Sequence, residues 1–446
     1  MSDSKIDQNL SFSFSRANVL PDNLVITKEF QEAFDCIANT GASVYLTGKA
    51  GTGKSTFLAY LRKNLKKNVV VVAPTGVAAI NIGGKTIHSF FRFPPNLMEA
   101  HLIEQDASQK GLFNKIEVLI IDEISMVRAD LLDAIDLSLK MSRQDERPFG
   151  GVQMVFIGDL HQLPPVVIGK DLADYFEEHF GGPFFFNAKV FKKLNFKYIE
   201  LTSVFRQKDS KFKEILDAIR EDNISEEQIA TLNIQYVSAP VYDTNSVRLT
   251  LCSTNKKAEA INLENMERLK SKVFSYRASI VGSFDEVYYP TDPTLQLKVG
   301  AQIMMLQNDL NKRWVNGTLG IVSKLDEKNV TVQIDGTRYM VPKYTWENIS
   351  YEYNKETKKI ESKVTGTFKQ FPLKRAWAIT IHKSQGQTFE RVAIDLDKGA
   401  FAHGQSYVAL SRCTSLQGIS LNSKIKRRDF ILDPKVMQFV KEKSKP

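Results

Sequence analysis

Short apolar runs separated by amphipathic stretches set the rhythm of the first half of this chain. "SVYLTG" (43–48), "VVVVAP" (69–74), "EVLIID" (117–122) and "VQMVFI" (152–157) are apolar and mostly β-branched, the pattern of strands covered on both faces. Between them, "KSTFLAYLRKNL" (54–65) and "ADLLDAIDLSLKMS" (129–142) carry apolar residues at helical spacing. Strands and helices alternating in this way predict a parallel, doubly wound α/β sheet. The alternation goes on with strand "FKYIEL" (196–201), helix "FKEILDAIRE" (212–221), strand "LTLCS" (249–253) and helix "KKAEAINLENMERL" (256–269). It returns at "AWAITIHKSQG" (376–386) and "VAIDL" (392–396).

Two segments break that rhythm. Residues 84–114, holding "FRFPPNLMEAH", read as a small insertion. Residues 321–371 change to short alternating runs, with turn candidates at Asp326-Glu327 and Asp335-Gly336. They predict antiparallel β structure, a small barrel inserted into a second α/β unit. The boundaries that follow are an N-terminal arm (1–27), a first α/β domain (28–200), a second in two parts (201–320 and 372–437) and a tail (438–446). Residues 1–20 and "KEKSKP" (441–446) are polar and read as mobile.

Composition refines the picture only slightly. The chain has 446 residues, 43% hydrophobic and 25% charged, the make-up of an ordinary globular protein with room for several cores. No apolar run approaches the roughly 20 residues of a membrane span, so no membrane partner is expected. The N-terminus has no charged start followed by an apolar core, so it is not read as a secretory leader. Cys36, Cys252 and Cys413 lie far apart and fit no metal spacing, which suggests a reducing, intracellular compartment. The net charge of +9 hints at a polyanionic partner.

The chemistry sits at the predicted strand ends. "GKAGTGKST" (48–56) satisfies G-x-x-x-x-G-K-[ST] between a strand and a helix, the context this phosphate-binding loop requires. Gly48, Gly51 and Gly53 let backbone N–H groups curl round phosphate oxygens, with Thr52 and Thr56 in the same loop. Lys54 reaches the β and γ phosphates, and Ser55 is a ligand for Mg²⁺. In "VLIIDEISM" (118–126) a buried strand delivers Asp122 to the metal and Glu123 to the attacking water. "GDLHQLPPV" (158–166) ends a third strand; there Gln162 would sit near the γ-phosphate and a rigid Pro164-Pro165 block would carry a small shift outward. These motifs imply nucleotide binding and hydrolysis; kinases, GTPases, AAA-type ATPases and helicases all share them.

The order of further motifs narrows that field. "APTGVAAINIGGKTIHSFF" (73–91), "LTSVFRQ" (201–207), "ITIHKSQGQT" (379–388) and "YVALSRCTS" (407–415) join the three above in a series that resembles the Pif-one family of superfamily-one DNA helicases, with RecD-type helicases as near relatives. The likeness runs from about residue 30 to 420. It implies two RecA-like motor domains with parallel sheets and ATP bound with Mg²⁺ in the cleft between them. Residues 84–114 match the family's strand-separating wedge and residues 321–371 its small barrel. By the same resemblance Arg206 and Arg412 reach the γ-phosphate from the second motor, and Gln31 reads the adenine. Thr75, Thr86, His88 and Ser89 of the first motor, with Asn255, His382, Lys383 and Ser384 of the second, grip a single strand of DNA through its backbone. The implied function is ATP-dependent, 5′-to-3′ unwinding in replication, repair, recombination or telomere maintenance; the alternative is a DNA translocase or a nucleotide-switched single-strand-binding module that does not separate strands. The implied partners are single strands and forks, with RNA–DNA hybrids and G-quadruplexes as further candidates, and the protein acting as a monomer.

Overall fold

A computed structural model describes residues 20, 24–94, 96–103, 107–207, 209–238, 247–309 and 311–444, so most of the expected N-terminal arm lies outside the described residues. The predicted strands, joined by the short Lys85–Thr86, form a six-stranded parallel sheet: β1 (Ser43–Gly48), β2 (Val69–Ala73), β3 (Lys85–Thr86), β4 (Val118–Ile121), β5 (Gln153–Ile157) and β6 (Phe196–Leu201), in the order β3-β2-β4-β5-β1-β6. Alternation along each strand feeds two cores. Val44 and Leu46 of β1 join Phe30 and Phe57 on one face, whereas Tyr45 joins Phe156 and Phe185 on the other. Because β5 lies between β4 and β1, the loops after all three open side by side at one edge.

A second parallel sheet has the order Ala378–Thr380, Leu249–Cys252, Val392–Asp395, Ile419–Leu421. The helices Ser210–Arg220 and Gln405–Ser411 pack in its own core. Between its strands the chain makes an antiparallel region larger than the expected 321–371. It begins at Phe274–Arg277 and ends with Leu373–Arg375, and its five-stranded sheet takes strands from both sides of the expected start. A long hairpin, Tyr344–Asn354 with Lys359–Gln370, reaches back to the first domain. There Tyr351 Oη donates to Val71 O at 3.4 Å and Ile360 N to Asn68 Oδ1 at 3.0 Å.

Two expectations are corrected. The aromatic run of the 84–114 insertion is interior: Phe90, Phe91, Phe93 and Phe113 are buried in the first core, too apolar to be left in water once helix Ala129–Arg143 covers them. Asp130 fixes the segment by accepting Met98 N at 2.8 Å. The expected tail is not loose over residues 438–443. It belongs to helix Pro434–Lys443, which returns to the first domain, stacks Phe439 on Phe186 with centroids 4.4 Å apart and pairs Lys435 with Glu177 at 2.5 Å. The charge of this stretch hid the apolar face carried by Val436 and Phe439.

Candidate active site

β1 runs into a loop in which Gly51 (φ +84°) and Gly53 (φ +90°) adopt left-handed backbone, a conformation that glycine reaches without steric cost. Gly53 caps helix Lys54–Asn64 without any side-chain acceptor, which leaves first-turn N–H groups for a ligand. Lys54 Nζ rests on the carbonyls of Gly48 (2.6 Å) and Lys49 (3.1 Å). Above the loop a cavity of about 530 Å³ is lined by Gly51–Thr56, Glu123, Gln162 and, from the second domain, Arg206 and Arg412. Its volume suits a nucleotide.

The charges facing this cavity are not balanced by one another. Burial pushes the Asp122 carboxyl up, with Glu123 adding to the rise, and burial also raises Glu123 against the pull of Lys54 and Arg412. Glu123 holds φ 50°, ψ 45°, strain of the kind stored at functional sites. Arg412 is 1% exposed, and burial, then Arg206, lowers its guanidinium. Helix Gln405–Ser411 positions it: its Nε donates to Val408 O and its Nη2 to Ser411 Oγ, both at 3.0 Å. Gln207 Nε2, donating to Ser411 O at 3.1 Å, ties "VFRQ" to "LSRC". Two guanidiniums and an ammonium in one buried cleft call for a polyanion. The Asp122 carboxyl, raised by burial, with the Ser55 hydroxyl fits a divalent cation beside that polyanion. Among the described residues no cluster of three or more His, Cys, Asp or Glu could hold a metal alone, so phosphate oxygens would have to complete its coordination.

The two domains already touch at the loop. Phe205 N donates to Gly51 O (2.9 Å), Ala50 N to Tyr407 Oη (3.2 Å), and Lys49 pairs with Asp217 (2.7 Å). A Cβ on Gly51 would collide with that of Arg206. The loop after β5 is tied across the boundary as well. Gln162 Nε2 donates to Asp159 Oδ2 at 3.2 Å, and Asp159 is completely buried. Arg220, at the end of the second domain's helix Ser210–Arg220, donates through Nε to His161 Nδ1 (2.9 Å) and lies 3.7 Å from Asp159 and 3.2 Å from Glu200. Burial alone would raise the Asp159 carboxyl, but Arg220, the His161 contact and Lys54 outweigh it and hold the group well below the ordinary aspartate range. The sequence reading chose Gln162 and passed over Asp159 and Arg220. A polar residue ending an amphipathic helix gives no local signal of a partner 59 positions away.

Of the other expected contacts, Gln31 departs from its role. Its amide donates to Asp35 at 2.9 Å on the solvent side, and Leu24, Val25 and Phe30 line that wall of the cavity instead. The strand-contact candidates fall at strand ends: Thr75 after β2, Thr86 ending β3, and His88 and Ser89 in the short helix that follows. Thr75 and Thr86 cap helices, accepting Ala78 N and Ser89 N at 3.2 Å, and Thr86 also meets Tyr288 Oη at 3.0 Å. Burial lowers both His88 and His382. Asn255 and Lys383 are exposed, whereas Ser384 is fully buried with its hydroxyl donated to Ile381 O, a structural turn residue rather than an open contact. Lys374 lies beside Lys383, and burial, with that neighbour, pulls its amine down to about 8.

Known proteins resemble this chain along most of its length. A family described as PIF1-like helicase matches residues 25–230, and one described as DNA helicase Pif1, 2B domain, matches 288–325. The ATP-dependent DNA helicase PIF1 of Danio rerio is 34% identical over 94% of this chain, which spans only 63% of that relative's length. The ATP-dependent DNA helicase Pif1 of Bdellovibrio bacteriovorus is 32% identical, with 96% of this chain and 94% of the relative covered. Unliganded Pif1 from Bacteroides sp superposes with a TM-score of 0.86 at 39% identity, covering 94% of this chain and 97% of that one. With its motifs gathered round one cleft and its likeness sustained along nearly the whole chain, this protein belongs to the PIF1-like helicase family.

Proposed function

We propose that the protein is an ATP-driven helicase that moves along single-stranded DNA, 5′ to 3′, and opens duplexes at forks. One observation carries the reading: Lys54 and Glu123 from one parallel-sheet domain face Arg206 and Arg412 from the other across a single nucleotide-sized cavity. Hydrolysis there depends on both domains, so it can be coupled to their relative movement.

Each residue has a task in that chemistry. The loop N–H groups and Lys54 bind the β and γ phosphates. Glu123, its carboxyl raised by burial, takes the proton of the attacking water. Arg206 and Arg412 stabilise the charge that spreads over the phosphoryl oxygens. A Mg²⁺ ion held by Asp122 and Ser55 with phosphate oxygens would neutralise part of that charge. Gln162 exchanges its bond to Asp159 for the phosphate, and the exchange is felt by Arg220. Asn255, Lys383 and Lys374 grip backbone phosphates without reading sequence.

A second reading, a translocase that moves on DNA without separating strands, is favoured by the burial of Phe90, Phe91 and Phe93, which leaves no aromatic wedge exposed among them. One experiment separates the two. Forks carrying only a 5′ tail or only a 3′ tail are offered with ATP. Unwinding of the 5′-tailed fork alone supports the proposal. ATP hydrolysis stimulated by single strands with neither fork opened establishes the translocase.

A further inference from the structure

Away from the cleft, a second cavity of about 500 Å³ opens on the second domain, where Tyr236, Lys398, Lys424, Lys426 and Arg428 meet. It lies at the same sheet edge as the second domain's strand-contact candidates. Strand Leu249–Cys252 runs into Asn255, and Ala378–Thr380 into His382 and Lys383. The remaining two strands run the same way, Val392–Asp395 into Asp397–Gly399 and Ile419–Leu421 into Asn422–Arg428. With adjacent strands about 4.8 Å apart, the cavity begins roughly 5–15 Å along the rim from those candidates.

The charge of its lining is unmatched. Of the two carboxylates present, Asp397 is paired with Lys257 at 3.2 Å, and Asp429 is buried, its Oδ2 accepting Lys426 N at 2.7 Å. No ion pair engages Lys398, Lys424, Lys426 or Arg428 among the described residues. The Lys424 amine stands 5.7 Å over the Tyr236 ring. That ring is on a fixed platform: Val237 N donates to Leu421 O at 3.0 Å and Leu421 N to Gln235 O at 2.9 Å, adding the segment to the sheet. Asn422 presents a buried Oδ1 with no donor. Unpaired cations, an amide acceptor and an anchored aromatic face together suit a phosphodiester chain with its bases.

We propose that this cavity is a second phosphate-binding station on the nucleic-acid path, where Lys398, Lys424, Lys426 and Arg428 hold backbone phosphates of the strand beyond Asn255 and Lys383 and Tyr236 stacks a base. The inference rests on the helicase reading and extends its track. The test uses the full chain with Lys424→Glu and Arg428→Glu combined, both exposed, and the Lys424→Gln, Arg428→Gln pair in case reversal disturbs folding. Binding of labelled single strands of roughly 6 and roughly 20 nucleotides is followed by anisotropy across a salt series.

Loss of two phosphate contacts should weaken the long strand about tenfold and flatten its log–log salt slope by about 1.4. The short strand, held at the central candidates, should keep its affinity. Tyr236→Ala should weaken the long strand about fivefold or more with the salt slope intact. Unchanged long-strand affinity and slope in both charge variants overturns the proposal, as does an equal loss at both lengths. Free nucleotide is the alternative phosphate source. A second equivalent of ADP bound calorimetrically by the wild type and lost in the charge variants would overturn the strand assignment. A wild-type protein that binds neither length would instead sink the helicase reading itself.

Discussion

Arg220→Met removes the guanidinium that the second domain inserts beneath the sensor loop. In the intact protein this side chain is 6% exposed, its partner Asp159 not at all, and it touches His161, Asp159 and Glu200 at 2.9, 3.7 and 3.2 Å. Removing one member of a buried ion pair strands the other, at a cost of about 3–5 kcal/mol. The lower end applies here, because Asp159 keeps His161 N (3.1 Å) and Gln162 Nε2 (3.2 Å) as donors. Asp159→Asn leaves Arg220 with Glu200 and should cost about 2 kcal/mol. The double variant leaves no unpaired charge at Asp159, so it should be more stable than the sum of the two by at least about 1.5 kcal/mol. Urea unfolding at constant m-value measures all three. Additivity within about 0.5 kcal/mol would refute the bridge.

The pH dependence gives an independent sign. Asp159 titrates far below its unfolded value in the intact protein. Its contribution is therefore present above about pH 4, the ordinary aspartate range, and is lost only as pH falls through the folded value, so it is constant between about pH 5 and 8. Without Arg220 the raising effect of burial is less opposed and the folded value climbs. Ionised Asp159 then becomes a penalty that protonation relieves, so the Arg220→Met deficit should shrink between pH 8 and pH 5.5. A deficit that grows on acidification would mean that Asp159 is not the group left unpaired.

Three further outcomes are expected. Arg206→Ala and Arg412→Ala should each lower DNA-stimulated ATPase by about 10³ while changing ATP affinity far less, since both contacts strengthen as charge develops; equal losses in affinity and turnover would place them as ordinary binding groups. Lys54→Ala should abolish hydrolysis with its melting curve intact, whereas Glu123→Gln should still bind nucleotide and turn it over poorly; wild-type turnover in either would misplace the site. Lys374, neutral above about pH 8 in the free protein, should take up a proton when DNA phosphates arrive at pH 9; calorimetry in two buffers of different ionisation enthalpy detects this, and no uptake in the wild type, or uptake persisting in Lys374→Arg, would contradict it.

Local pattern sufficed wherever a motif needs only its own strand and loop. The loop after β1, Asp122-Glu123 after β4 and the sensor after β5 were all readable, because apolar runs of that kind belong to parallel sheets and parallel sheets present ligands at strand ends. Reading failed where contacts are distant in sequence. Nothing near Phe439 announces Phe186, and nothing near Thr86 announces Tyr288. Gln31 is a failure of direction: its position on helix Lys28–Asn39 was visible, but the helical turn that sends its amide to Asp35 favours an i,i+4 partner over the cleft. The wedge at 84–114 rests on family resemblance alone, and nothing local to Phe90, Phe91 and Phe93 shows that they are buried in the first core.

The Gly-Asp turn after β5 has a physical role. Asp159 is the resting acceptor for the Gln162 amide, and the same carboxylate is held by Arg220. Gly404, at φ +67° where helix Gln405–Ser411 begins, lies so close to the carbonyls of His161 and Gln162 that a Cβ there would clash with both. That helix ends at Arg412, in the cleft. A change at Gln162 would therefore reach the second domain at two places, through Arg220 and through the start of the helix that bears Arg412. Packed interiors transmit such shifts because they resist compression. Gly404→Ala makes the argument testable: it should push the helix off the loop, lowering the duplex length opened per ATP more than it lowers ATP turnover. An equal fall in both would mean that the contact only stabilises the fold.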